Sequence, residues 1–181
     1  MYREYIILSR GGQGGVTASR ILASAATYEG RWAQAIPEFG AERRGAIVRS
    51  YLRVSDGIIK RHSKIYRADG LSIFSSKILS LIDIKREIPN DLTLIVNSPY
   101  KPDLEGFKEI YYVDATSIAL KHDLVLAGWP IVNTAMASAM AKVFNIASID
   151  NIVKAIEEYF SGEIAIKNIS AAMEAWDMVA R

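Results

Sequence analysis

At 181 residues, half hydrophobic and 23% charged, the chain has the composition of one globular domain, which excludes a disordered or fibrous protein. A domain of this size buries about 70% of its unfolded surface. It contains no cysteine, so disulfides, thiolate zinc sites, cysteine-ligated iron–sulfur clusters and cysteine nucleophiles are excluded within it.

The first predicted element is an apolar run, Tyr2 to Ser9, read as a buried strand. It leads into Arg10-Gly11-Gly12-Gln13-Gly14-Gly15. Ala18, Ile21, Leu22 and Ala25 then follow helical spacing, and the helix from Gly15 to Glu29 stops at Gly30, a favoured C-terminal residue. In such a strand–glycine loop–helix order the glycines permit positive φ and close backbone approach. The helix N-terminus adds unpaired N–H groups and a partial positive charge. The spelling is not the dinucleotide fingerprint, because counting from Gly12 its last glycine falls on Thr17. Nor is it a P-loop, since no Gly-Lys-Ser/Thr follows. Taken alone, the cluster also fits a tight strand-to-helix turn. Gln13 either donates its amide to a ligand or points to water.

Trp32 to Ile36 is a second strand, closed by Pro37. Phe39-Gly40-Ala41-Glu42-Arg43-Arg44-Gly45 follows, setting two arginines in a glycine-flanked loop suited to clamp a phosphate or carboxylate. Glu42 reads as a counter-ion orienting one of them, ahead of an acid facing substrate. Ala46 to Val54 alternates (Ile47, Arg49, Tyr51 and Arg53 against Val48, Leu52 and Val54), predicting an antiparallel strand with one exposed face and therefore a mixed sheet.

Both glycine-rich segments lie in a basic half. Residues 1–67 hold twelve Lys and Arg against five Asp and Glu, although the whole chain is only +2. Alternating charges on solvent-facing strands explain part of this. A field that draws in a polyanionic ligand or an acidic partner subunit explains the rest. Aromatic-interleaved RNA motifs are absent, so nucleic acid is not an expected partner.

Leu71–Phe74, Leu92–Val96 and Ile110–Val113 read as central strands, with a short helix from Ser76 to about Ile84 and another over 115–121. Gly128-Trp129-Pro130 precedes a helix from Ile131 to Phe144, where Asn133 and Thr134 read as a capping pair. Ile149, Ile152, Val153, Ile156 and Phe160 mark a helix with Ser148 as N-cap. Ile169, Ala172, Met173, Trp176 and Ala180 mark the last one, after Gly162. The expected fold is a single α/β domain over 1–181: three αβα layers, a mixed, mostly parallel central sheet and C-terminal helices. His62 and His122 lack ligand spacing and read as surface residues, so no metal site and no catalytic residue is expected. No apolar run approaches a membrane span and no signal-peptide layout is seen, making the cytoplasm the default location.

Three blocks together resemble the gamma subunit of 2-oxoacid:ferredoxin oxidoreductases, of the pyruvate and 2-ketoisovalerate type. They are Gly11-Gly12-Gln13-Gly14 with Val16-Thr17-Ala18, Phe39 to Ala46, and Pro130-Ile131-Val132-Asn133-Thr134-Ala135-Met136. One departure is Leu71 to Ser76, where many relatives carry an aspartate–proline pair. The resemblance implies a component of a complex that oxidatively decarboxylates a 2-oxoacid, pyruvate foremost, to acyl-CoA with reduction of ferredoxin. It implies alpha, beta and delta partner subunits carrying thiamine diphosphate, Mg2+ and the iron–sulfur clusters, and a gamma chain inactive alone. That chain would help close the active site and bind coenzyme A, with Gly12, Gln13, Gly14, Arg43 and Arg44 as the ligand-binding candidates. A purely structural scaffold and a stand-alone nucleotide-binding module are the competing readings.

Overall fold

The computed structural model describes residues 1–38, 46–84 and 91–181. Six strands form one sheet: β1 (Tyr2–Arg10), β2 (Trp32–Pro37), β3 (Ile47–Ser55), β4 (Gly70–Ile73), β5 (Thr93–Asn97) and β6 (Glu109–Val113). Their order is β2-β3-β1-β4-β5-β6. β1, β4, β5 and β6 run parallel, while β3 is antiparallel to both β1 and β2. The α/β class, the mixed and mostly parallel sheet and the helical C-terminus are as the sequence leads one to expect.

Five helices stand among the described residues: α1 (Gly15–Tyr28), α2 (Ala115–Lys121), α3 (Asn133–Val143), α4 (Ile149–Tyr159) and α5 (Gly162–Met178). Alternation along the strands sorts the core into two faces. Tyr5 and Ile7 of β1, Leu52 and Val54 of β3 and Ile95 of β5 meet the helices. Ile6, Leu8, Leu71, Ile73, Leu94 and Val96 face the other way, under Ile65, Ala68 and Ile78. This second cover includes chain between β3 and β4, Leu104 and Phe107 ahead of β6, and a 3-10 turn at Ser76–Ser80, where a longer helix is expected. Ile78 is the buried residue of that turn and Leu81 is exposed, while Ile82 and Ile84 beyond it pack against the same face of the sheet.

α3 explains the tight packing on the helical face. Every residue from Asn133 to Ala141 is buried, and all are small or Met. A helix without a polar face belongs inside, and α3 contacts α1, α4 and α5. Gly15 opens α1 where a Cβ would overlap the Ser9 side chain, so glycine sets how closely the helix meets the end of β1.

The face of β3 expected to be exposed is covered. Arg53 is fully buried, beneath the chain that follows β3. Its Nε donates to Glu4 Oε1 at 2.8 Å, Nη1 to Gln34 Oε1 at 3.1 Å and to the Arg61 carbonyl at 3.0 Å, and Nη2 to the Ser63 carbonyl. A buried guanidinium is tolerated because its donors are satisfied.

Ser148 is the N-cap of α4 as expected, but its hydroxyl does not do the capping. Glu29, at the end of α1, accepts at 2.7 Å from the Ser148 N–H, the Ser148 hydroxyl and Asn151 Nδ2. The Ser148 N–H, then its hydroxyl and then Asn151 hold the Glu29 carboxyl down to about 2. Because the folded value is depressed, this carboxylate stabilises the fold above its ordinary value and ceases to do so as pH falls through about 2. Glu29→Ala should therefore cost about 1 kcal/mol near neutrality, the usual cost of a lost cap. The difference in melting temperature from wild type should close as the pH is lowered towards 2. Thermal melts at stepped pH check this, and a difference that persisted unchanged in acid would refute it.

Candidate functional site

The parallel strands deliver their C-terminal ends to one edge of the sheet. From β1 the chain leaves through α1 toward β2 on one side, while β4 pairs with the other side of β1. Such a reversal of strand order opens a crevice where open α/β sheets bind ligands, and the loop from Arg10 to Gly15 lies there.

The loop is held from below. Gln13 Oε1 accepts from the Arg10 N–H at 2.8 Å, Gln13 Nε2 donates to the Phe74 carbonyl at 3.2 Å, and the Gln13 N–H reaches the Arg10 carbonyl at 3.0 Å. The same Phe74 carbonyl accepts from Asn97 Nδ2 at 2.9 Å, and Asn97 also bonds Thr116 Oγ1 at 2.9 Å. The ends of β1, β4 and β5 and the start of α2 are thus stitched together. Gln13 belongs to that stitching, with its amide engaged within the protein rather than turned to water.

Gly12 and Gly14 take φ of +97° and +78°, a left-handed backbone that glycine adopts without strain. A Cβ on Gly12 would meet nothing among the described residues within 4 Å. One on Gly14 would stand 2.8 Å from Asn133 Cβ. Gly14 is the N-cap of α1, and no side chain among the described residues caps that helix. The N–H groups of Gly12, Gly14, Gly15, Val16 and Thr17 have no acceptor among the described residues. They form a cluster of donors at the positive end of a 14-residue helix.

Arg43 and Arg44, with Glu42, lie outside the described residues, but both anchors of their loop are described. The Ala46 carbonyl accepts from the Gly11 N–H at 2.9 Å, tying the far end of the arginine segment to the glycine loop. At the near end, Glu38 accepts from the Tyr51 hydroxyl at 2.5 Å and pairs with Lys64. Lys64 and then Tyr51 hold the Glu38 carboxyl below its ordinary value. The two described anchors, Glu38 and Ala46, therefore stand at the ligand edge.

Two further features were not legible in the sequence. A hairpin of β7 (Val125–Leu126) and β8 (Trp129–Pro130) stands beside the loop, its turn made by Ala127 and Gly128 at φ +49° and +80°. Arg10 lies over the Trp129 ring, 5.7 Å from its centroid. Asn133 is the first residue of α3, whose N-cap is Val132, so it is not a cap. Its Oδ1 takes the neighbouring Thr134 N–H at 2.8 Å. The histidines lie elsewhere: His62 bonds Gln34, and His122 Nε2 pairs with Glu174 at 2.7 Å. Among the described residues no group of three or more His, Cys, Asp or Glu could hold a metal ion, and no helix is long and apolar enough to cross a membrane.

A doubly connected sheet with a glycine loop at its reversal point is the frame of the family to which this chain belongs, pyruvate ferredoxin/flavodoxin oxidoreductase, whose model matches residues 4–178. Within that family it is a gamma-type chain. It is 41% identical over 168 residues to pyruvate synthase subunit PorC of Methanocaldococcus jannaschii, covering 93% of this chain and 92% of that one. It is 40% identical over 174 residues to the common gamma subunit of the pyruvate/ketoisovalerate oxidoreductases of Pyrococcus furiosus, with the same coverage of each (93% and 92%). The crystal structure of pyruvate oxidoreductase subunit PORC from Thermotoga maritima superposes with a TM-score of 0.81 at 30% identity, covering 99% of this chain and 97% of the other.

Proposed function

We propose that this chain is the gamma subunit of a cytoplasmic complex that converts a 2-oxoacid, pyruvate foremost, and coenzyme A to acyl-CoA and CO2, passing two electrons to ferredoxin. Alpha, beta and delta partners carry thiamine diphosphate with Mg2+ and the iron–sulfur clusters, and ferredoxin is reached through the complex. The gamma chain helps close the active site and holds phosphate groups of coenzyme A. Backbone N–H groups at Gly12 and Gly14 contact the ligand, Gln13 keeps the loop in shape, and Arg43 and Arg44 supply cationic forks.

The observation that carries this reading is the N-terminus of α1 beside Gly12, with no side-chain cap among the described residues, on the edge where both described anchors of the arginine segment stand. A helix N-terminus favours a phosphate over a neutral group, and arginine matches phosphate with two parallel hydrogen bonds. The absence of cysteine assigns cysteine-ligated clusters to other chains. The purified chain should therefore be colourless and should not reduce ferredoxin or a viologen dye with any 2-oxoacid. Adding the partner chains should produce coenzyme A-dependent reduction, and a screen of pyruvate, 2-ketoisovalerate and 2-oxoglutarate then names the substrate. Reduction by the chain alone would overturn the proposal.

A further inference from the structure

We propose that the segment from Ile58 to Arg67, which crosses the sheet face away from the helices, is the docking surface for an acidic face of a partner subunit. Between Asp56 and Asp69 the chain carries Lys60, Arg61, Lys64 and Arg67 and no acidic residue. Lys64 pairs with Glu38, whereas Lys60, Arg61 and Arg67 are exposed and have no ion-pair partner among the described residues. Ile58 and Tyr66 stand out on the same segment, 66% and 75% exposed.

The segment is held so that these groups face outward. It contains no helix or strand, yet the buried Arg53 donates to the Arg61 and Ser63 carbonyls. His62 bonds Gln34 at 2.9 Å, and Ile65 and Ala68 are buried against the sheet. A loop fixed in this way has little freedom left to lose on binding, so its cations are pre-organised. Like charges crowded on one segment repel each other in the free chain, and an acidic surface relieves that repulsion.

The chemistry selects a protein partner. Exposed tyrosine and isoleucine among arginines give apolar anchors inside a charged rim, the composition of a protein interface. Single-stranded nucleic acid asks for several stacking aromatics in series, and Tyr66 is the only Phe, Tyr or Trp on the segment. A chain without cysteine offers no cysteine-ligated cluster for a soluble electron carrier to reach, so the acidic face belongs to a permanent subunit. The inference rests on the proposed place of this chain in a multi-chain oxidoreductase and not on its coenzyme A role.

The test labels lysine and tyrosine side chains in the isolated chain and in the assembled complex, then measures assembly of three variants. They are Lys60→Glu/Arg67→Glu, Tyr66→Ala and, as a control of equal charge beside β6 at the far edge of the sheet, Lys101→Glu/Lys108→Glu. Lys60 and Tyr66 should react in the isolated chain and be protected in the complex. Charge reversal at Lys60 and Arg67 should weaken association about thirtyfold or more, and Tyr66→Ala about tenfold, as expected for interface hot spots. The control should assemble as wild type does. Added salt should weaken wild-type association, and that of the charge-reversed variant much less. Melting temperatures of the isolated variants should match wild type, because none of the replaced side chains belongs to the Arg53 network, so loss of folding cannot imitate loss of docking.

Equal labelling of Lys60 and Tyr66 in both states, or assembly of Lys60→Glu/Arg67→Glu with wild-type affinity, overturns the proposal. Protection already present in an isolated chain that elutes as a dimer, or binding to duplex DNA or anionic vesicles that charge reversal removes while assembly is untouched, overturns it in favour of those occupants. A chain that assembles with no partner chains overturns the proposed function itself. A complex that forms with Lys60 and Tyr66 still labelled overturns the docking surface alone.

Discussion

Alanine at Arg43 or Arg44 should raise the apparent coenzyme A constant of the assembled complex by roughly 10- to 150-fold, with little change for the 2-oxoacid. That range corresponds to losing a charge-assisted hydrogen bond of about 1.5–3 kcal/mol. Lysine should rescue only in part, because it keeps the charge but lacks the planar two-point fork. If the arginines instead grip a partner subunit, the same variants should assemble poorly and retain normal coenzyme A affinity in whatever complex survives. Gel filtration and steady-state kinetics on one preparation separate the two outcomes. Unchanged assembly with unchanged kinetics would remove both residues from the site.

Arg53→Ala should be the most damaging single change to stability. It removes the charged partner of Glu4 and leaves the Arg61 and Ser63 carbonyls without their donor, under a segment otherwise held by buried Ile65 and Ala68, the His62–Gln34 bond and the Lys64–Glu38 pair. Breaking a buried, hydrogen-bonded charge pair costs about 3–5 kcal/mol. At roughly 2–4 °C per kcal/mol for a domain of this size, the melting temperature should fall by about 6–20 °C. Scanning calorimetry checks the size of the effect. Hydrogen exchange should show residues 57–65 losing protection first, and a shift below about 2 °C would show that Arg53 does not hold this segment down.

Arg53 also marks where the sequence stops being informative. The alternation from Ile47 to Val54 locates β3 and its pairing sense, but the same pattern predicts an exposed polar face. Nothing local reveals that the chain after β3 folds back over Arg53, because the acceptors are backbone carbonyls, which carry no sequence signature. The capping of α4 is hidden for a similar reason: Glu29 lies 119 residues before Ser148. The β7–β8 hairpin turns on Ala127 at φ +49°, a residue type that gives no turn signal. By contrast, the strand–glycine–helix order at Arg10 to Gly15 is legible because three of its four glycines answer a local demand. Positive φ requires Gly12 and Gly14, and contact with Ser9 requires Gly15. The unpolarised composition of α3 likewise announces burial. Gln13 reads from the sequence as serving a ligand or water, and its bond to the Phe74 carbonyl, a partner 61 residues away, leaves no local signature.

The role assigned to this edge is tested most directly by steady-state kinetics of the assembled complex carrying Gly12→Ala. The added methyl meets no described residue within 4 Å, yet it resists a φ of +97°. If coenzyme A phosphates approach this backbone, the apparent coenzyme A constant should rise several-fold while assembly and the 2-oxoacid constant hold. An unchanged coenzyme A constant in a fully assembled, stable complex would mean that the glycine loop is a turn and that this chain does not hold coenzyme A there.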